Sequence, residues 1–189
     1  MKDIGKYRIE VKLGQGGMGI VYKCTHGETG AAAALKVLPQ QMASDPSFFQ
    51  RFKREVTTLQ RLHHPNIVKV FDRGIHDGSP YYAMEFVEGV SLEDMLENGT
   101  RMEPRQAISI IRACAEALEH SHALGVVHRD IKPANIMITK GGDVRLMDFG
   151  IAKVLDATRM TVTQGVLGTV EYMSPEQSEG RLVNARSDL

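Results

Sequence analysis

Glycines at positions 14, 16, 17 and 19 stand between two runs that both read as β-strands, and this arrangement constrains the start of the fold. Before them, Tyr7, Ile9, Val11 and Leu13 alternate with Arg8, Glu10 and Lys12, the period of a half-buried strand. After them come Ile20, Val21, Tyr22, Lys23 and Cys24, a β-branched and aromatic run. Strand, glycines, strand reads as a hairpin. A dinucleotide-binding G-x-G-x-x-G leads into a helix within a βαβ unit, so a dinucleotide-binding oxidoreductase is excluded. A Walker A loop is excluded as well, because Gly19 is followed by Ile20 where a lysine is required. Glycines at a hairpin tip are ordinary turn residues. They also let backbone N–H groups close over phosphates.

A third strand follows at residues 33–38, with Leu35 and Val37 on one face and Ala34 and Lys36 on the other. A small residue beside a lysine suits a flat base packed next to a charged phosphate tail. A solvated lysine on an exposed strand is the plainer alternative. Asp45, Pro46 and Ser47 then predict the start of a helix reaching about Arg61, with an apolar stripe at Phe48, Phe52, Leu59 and Leu62. Glu55 falls on that stripe, where an acid is costly unless paired. Lys36 is one candidate partner; Arg51 or Lys53 on the helix surface is the other.

His63, His64, Pro65 and Asn66 end the helix as a turn, since no third metal ligand has suitable spacing nearby. Strands are expected at 67–72 and 81–85, with a hinge between lobes near Gly89. Ser91 caps a short helix over 92–97, and Pro104 and Gly125 frame a long one. Within the long helix Ala107, Ile108, Ile110, Ile111, Cys114, Ala115, Ala117 and Leu118 cover most of the circumference, which calls for neighbours on several sides.

Composition bears on partners and compartment. Lys plus Arg and Asp plus Glu are 23 each, so no overall field recruits nucleic acid or an anionic membrane. With 42% hydrophobic and 24% charged residues the chain has the material for a globular core. Cys24 and Cys114 stand far apart, which fits a reducing compartment rather than a disulfide framework. Neither an apolar leader nor a membrane-length apolar run is seen, and the chain reads as cytoplasmic.

The chemistry concentrates in residues 128–135, His-Arg-Asp-Ile-Lys-Pro-Ala-Asn, a loop because Pro133 breaks any helix, held between apolar β-type segments. Beyond it, strands at 136–139 and 144–147 deliver Asp148, Phe149 and Gly150. An acid at a strand end is placed to coordinate a divalent cation, and Asn135 can add a second oxygen.

In chain order, then, stand the glycine hairpin, Lys36, Glu55, His128-Arg129-Asp130, Asp148-Phe149-Gly150 and Ser174-Pro175-Glu176. From Tyr7 to Leu189 the chain resembles a protein kinase catalytic domain. Lys132, two residues after Asp130, matches the serine/threonine form, and residues 168–177 look closest to the bacterial eukaryotic-like serine/threonine kinases. The resemblance implies an α+β, bilobal protein-kinase-like fold. Residues 1–88 would form an N-lobe of antiparallel sheet and one helix, and 89–189 an incomplete, mainly helical C-lobe.

It also implies roles. Leu13, Gly14, Gln15, Gly16, Gly17, Met18, Gly19, Ile20 and Val21 would cover the ATP phosphates, with Ala34 against adenine. Lys36 would bind the α/β-phosphates and pair with Glu55. Met84 would be the gatekeeper, and Glu85 to Val87 the hinge that bonds adenine. Asp130 would accept the substrate hydroxyl proton, Lys132 would steady the phosphoryl group, and Asn135 and Asp148 would hold Mg2+. Thr169 would bond near Asp130 and Lys132. Arg129 implies control by activation-loop phosphorylation, with Thr161 or Thr163 as the acceptor, Thr158 also lying in that loop. Partners would be proteins phosphorylated on Ser or Thr, with self-association for autophosphorylation in trans. A catalytically silent nucleotide-binding or scaffolding module is the competing reading.

The chain departs from the family pattern at Ser174, where alanine is usual, and at Ala33, where valine is usual. It ends at Leu189, where the central helix of the large lobe is expected to begin. That implies a fragment whose long helix exposes apolar surface. An aspartate like Asp188 would brace the backbone of the 128–135 loop.

Overall fold

The computed structural model describes residues 3–16, 19–44, 46–149 and 170–189. Two compact units emerge. One runs up to Arg61 and takes in Lys69–Phe86; the other takes in Leu62–Val68 and runs on from Val87.

The first unit is a 6-stranded antiparallel sheet in the order β1-β2-β3-β4-β6-β5 with one helix. Its strands are β1 (Asp3–Ile4), β2 (Tyr7–Gly16), β3 (Gly19–His26), β4 (Ala32–Val37), β5 (Val70–His76) and β6 (Ser79–Glu85), and its helix is α1 (Pro46–Leu59). The glycine hairpin forms as the sequence predicts, paired out to Gly16 opposite Gly19. The alternation of β2 is interrupted by two bulges, between Ile9 and Val11 and between Lys12 and Gly14. Tyr7 is consequently buried, while Val11 and Leu13 are 51% and 49% exposed.

Leu35 of β4 joins Ile4, Tyr7, Cys24, Ala33, Tyr81 and Ala83 in the core, with Val37 packed against them. The alternation of β4 is therefore as expected. Tyr7 anchors this core twice: its hydroxyl donates to Asp72 at 2.8 Å, and its ring meets Tyr81 edge-on. Between β5 and β6 Asp77 and Gly78 both have positive φ, 48° and 74°, the backbone of a tight hairpin turn.

The predicted helix stripe is present, but its centre is Val56 (0% exposed), with Phe48, Phe52, Leu59 and Leu62 all buried. Glu55 sits half-buried beside it. Stepping from 52 to 56 to 59 follows the helical repeat as well as 52 to 55 to 59, and the apolar side chain takes the inside. The strand expected at 67–72 is also corrected. Pairing in the first sheet starts at Val70, while Ile67 forms a parallel bridge to Leu146 and Val68 N–H donates to Leu146 C=O in the second unit.

The second unit holds a 3-stranded sheet of β7 (Gly89–Ser91), β8 (Ile136–Thr139) and β9 (Val144–Leu146), with α2 (Leu92–Glu97), α3 (Pro104–Ala123) and the one-turn α4 (Pro175–Ser178). Ser91 caps α2 as predicted: its hydroxyl accepts from Asp94 N–H at 3.0 Å. Proline opens α3, whose buried face is Cys114, Ala117, Leu118 and Ser121. Ile108 and Ile111 are 65% and 67% exposed, the apolar surface that this helix was expected to leave open.

Candidate active site

Each unit carries part of the predicted machinery, and the parts are built differently. In the first unit, strand register aligns the residues expected to hold a nucleotide. Val21, Lys36 and Tyr82 stand opposite one another across β3, β4 and β6; Lys23, Ala34 and Met84 form a row two residues along. Lys36 and Ala34 therefore share a face with Val21, the face opposite the Leu35 core. Met84 is buried, and Glu85 N–H is committed to Lys69 C=O at 2.9 Å. Among the described residues no ion pair joins Glu55 to Lys36. Leu13, Gln15 and Ile20 flank the hairpin tip, whose Gly17 and Met18 lie outside the described residues.

The glycines of the hairpin differ in what demands them. Gly19 has φ +123°, and a Cβ there would stand 2.1 Å from Val37 C=O, so the fold itself requires glycine. At Gly14 and Gly16 a Cβ would meet nothing within 4 Å, and φ is not positive. Neither packing nor backbone demands glycine at those two positions, which fits a loop kept bare for a ligand approaching the backbone.

In the second unit the loop at 128–135 is tied down at nearly every polar group. His128 is fully buried. Its Nδ1 accepts from Asp130 N–H (3.2 Å), so its Nε2 carries the proton and donates to Met147 C=O (3.0 Å). Burial pushes its pKa below the usual histidine value, against the pull of Asp188, the Met147 carbonyl, Asp130 and Asp148. The Phe149 ring packs on it at 4.4 Å between centroids.

Asp188 organises the loop from outside it. Its carboxylate accepts from His128 N–H (2.8 Å) and Arg129 N–H (2.7 Å), and it lies 2.7 Å from His122 Nε2. The brace expected at this position is formed, and His122 is an addition that the sequence did not point to. Arg129 has φ +68° and Asp148 φ +60°, two of the three non-glycine residues with positive φ among those described. Such backbone persists only where surrounding bonds over-determine it.

Two side chains of the loop converge on one carboxylate. Asp130 Oδ2 accepts from Asn135 Nδ2 at 3.0 Å and lies 3.1 Å from Lys132 Nζ. Asn135 Nδ2 also donates to Asp130 C=O at 2.7 Å. Both amide hydrogens of Asn135 are thus directed at Asp130, which turns Oδ1 into the group available to a cation. Oxygens from one carboxamide and one carboxylate, Asn135 and Asp148, suit a hard cation that keeps most of its shell from phosphate and water, as Mg2+ does. No cluster of three or more His, Cys, Asp or Glu able to hold a metal occurs among the described residues. Val87, expected in the hinge, is half-buried. Thr161, Thr163 and Thr169 lie outside the described residues.

A buried histidine, a braced aspartate with lysine and asparagine on its carboxylate, a bare glycine hairpin and a strand lysine are parts also found in phosphoryl-transfer domains. Comparison with known proteins agrees. Residues 7–189 match the family described as protein kinase domain, and the chain belongs to it. It is 45% identical over 98% of its length to a probable serine/threonine-protein kinase of Streptomyces coelicolor. It is 44% identical over 97% to the serine/threonine-protein kinase PknB of Mycobacterium leprae, and 40% over 98% to the serine/threonine-protein kinase PrkC of Bacillus subtilis. It spans only 28%, 30% and 28% of those proteins respectively. Among solved structures, the kinase domain of Mycobacterium tuberculosis PknI superposes with a TM-score of 0.77 at 35% identity, covering 99% of this chain and 71% of that one. The architecture is the protein-kinase fold. No helix among the described residues is long and apolar enough to cross a membrane.

Proposed function

We propose that this chain is the catalytic part of a serine/threonine protein kinase that transfers the γ-phosphate of ATP to hydroxyls of proteins. The observation that carries the reading is the Asp130 carboxylate, bonded to Asn135 and Lys132 within a loop that Asp188 braces at two backbone N–H groups. An incoming hydroxyl needs a carboxylate fixed in place to take its proton, and Asp130 is such a group. Lys132 neutralises charge on the phosphoryl group as it moves between oxygens.

Lys36 binds the α/β-phosphates, and Glu55 pairs with it once nucleotide is in place. Gly14 and Gly16 let the hairpin backbone approach the phosphates, Ala34 and Met84 line the adenine site, and Glu85 and Val87 bond its edge. Asn135 and Asp148 hold Mg2+, which supplies charge compensation for the phosphates. A Thr161 or Thr163 phosphorylated by a second copy would dock on Arg129 and order the segment. The chain works in the cytoplasm in this reading.

Transfer from labelled ATP to a generic protein tests it, comparing the chain with Asp130→Asn. Phosphate on Ser or Thr, lost in the variant, is the expected result. ATP binding with no transfer by either protein would favour the scaffolding reading. Mass spectrometry after incubation with Mg-ATP reads Thr161 and Thr163 directly, and an active preparation unmodified at both would remove the autophosphorylation part.

A further inference from the structure

Gln177 lies on α4 and is not among the residues expected to touch ATP or the reacting hydroxyl, yet its carboxamide is bonded at both ends. Its Oε1 accepts from Ser174 N–H at 3.0 Å, and its Nε2 donates to Arg129 C=O at 2.7 Å. The two bonds fix the same orientation of the amide. The first is half of a capping box with Ser174, a role that glutamate fills as readily as glutamine. The second needs a donor, which a carboxylate lacks. The cap alone therefore does not account for an amide at this position.

The carbonyl it reaches belongs to Arg129, one of the strained residues of the loop at φ +68°. Arg129 N–H is held on its other side by Asp188 at 2.7 Å. The residue immediately before Asp130 is thus gripped at its N–H and at its C=O by two side chains from the far end of the chain. A peptide in left-handed backbone relaxes by rotating, and rotation here would carry the Asp130 carboxylate away from Lys132 and Asn135.

We propose that Gln177 is a positioning residue for phosphoryl transfer, holding Arg129 in its strained backbone and so aiming Asp130. The inference rests on the kinase reading above. It makes α4 more than a cap after the Ser-Pro-Glu motif: it is the second jaw of a clamp whose first jaw is Asp188.

Gln177→Glu separates the two roles, because it keeps the acceptor for Ser174 N–H, removes the donor, and sets an anion against the Arg129 carbonyl. The expected result is a fall in kcat of about 10- to 100-fold with KM for ATP nearly unchanged, the scale set by misplacing a reacting group by roughly 1 Å. The melting temperature holds, and the Arg129 and Asp130 amides exchange faster by NMR. Acid restores a donor by protonating the introduced carboxyl, so activity relative to wild type climbs as pH falls toward about 5. A purely structural role would move melting and leave that ratio flat. Gln177→Met, uncharged and of similar length, gives a second variant should the glutamate fold poorly, with the same expected loss of kcat and faster exchange. Exchange is read without turnover, so it separates the two ideas. If wild type transfers no phosphate, the kinase reading falls while faster exchange still supports the clamp. Unchanged exchange at Arg129 and Asp130, or wild-type kcat in both variants, overturns it.

Discussion

The glycine hairpin, between β2 and β3, and the 128–135 loop, between α3 and β8, are both short connections, yet one is bare and the other is bound. At Gly14 and Gly16 the space a side chain would fill is open, and Leu13 beside them is half exposed. In the loop, His128 is fully buried, and bonds from Asp188, Gln177, Met147 and Asn135 hold it in backbone that is strained at Arg129. A segment that closes on a ligand gains by leaving its contacts to that ligand. A segment that aims a base gains by having its geometry fixed before substrate arrives.

The contrast can be broken by substitution, beginning with the largest effect. Asp130→Asn keeps the bond-forming shape of the loop and removes the carboxylate proposed as the base, so kcat is expected to fall by about a thousandfold while melting hardly moves. A drop in melting temperature as large as that of a core substitution would show instead that the carboxylate serves the fold. Asp188→Ala comes next. It strands two buried N–H groups and His122, and costs roughly 3 kcal/mol in urea unfolding, with transfer lost in parallel. A stable, active Asp188→Ala protein would remove the brace from this account.

The hairpin responds differently at different glycines. Gly19→Val costs about 2 kcal/mol, because φ +123° and the Val37 carbonyl both oppose a side chain. Gly16→Ala changes stability by less than about 1 kcal/mol and shows itself as a higher KM for ATP. Equal destabilisation at both positions would erase the distinction between a glycine the fold requires and one a ligand requires.

The smallest effect separates the regions by pH. The folded pKa of His128 is depressed by burial, so the unfolded chain takes up that proton more readily. Its contribution to stability is complete above the ordinary value of 6.5 and is lost as pH falls toward the depressed one. His64 is shifted the same way, by burial and by His120, against Glu116. The urea midpoint should therefore decline from pH 7.5 to 5.5, and less steeply in His128→Gln. A midpoint flat across that range contradicts a buried neutral imidazole.

Much of this was legible in one dimension. Period-two alternation located β2 and β4, a β-branched and aromatic run located β3, Ser91 marked the start of α2, and Pro104 that of α3. Glycines between two β-type runs excluded a dinucleotide fold outright. The spacing of Asp130, Lys132 and Asn135 sufficed to bring them together, because residues on one tight loop have few places to go. Periodicity failed where neighbouring positions compete for the same face. Glu55 and Val56 both fit the repeat of α1, and only packing shows that Val56 is inside. It failed again at Ile67, whose β-type sequence suits either sheet and whose partner turned out to be Leu146. The strong apolar content of α3 did not reveal which face is covered, and Ile108 and Ile111 remain exposed.

What the sequence determined by itself is therefore local: the elements, the hairpin, and the chemical groups of the site in their order. What only the tertiary structure decided is how those groups are held. Gln177 and Asp188 stand 48 and 59 residues from Arg129 in the chain; the family resemblance pointed to Asp188 as a brace, and nothing in the sequence pointed to Gln177. Their bonds to its backbone exist because folding brings a carboxylate and a carboxamide to a peptide that could not otherwise keep a left-handed turn.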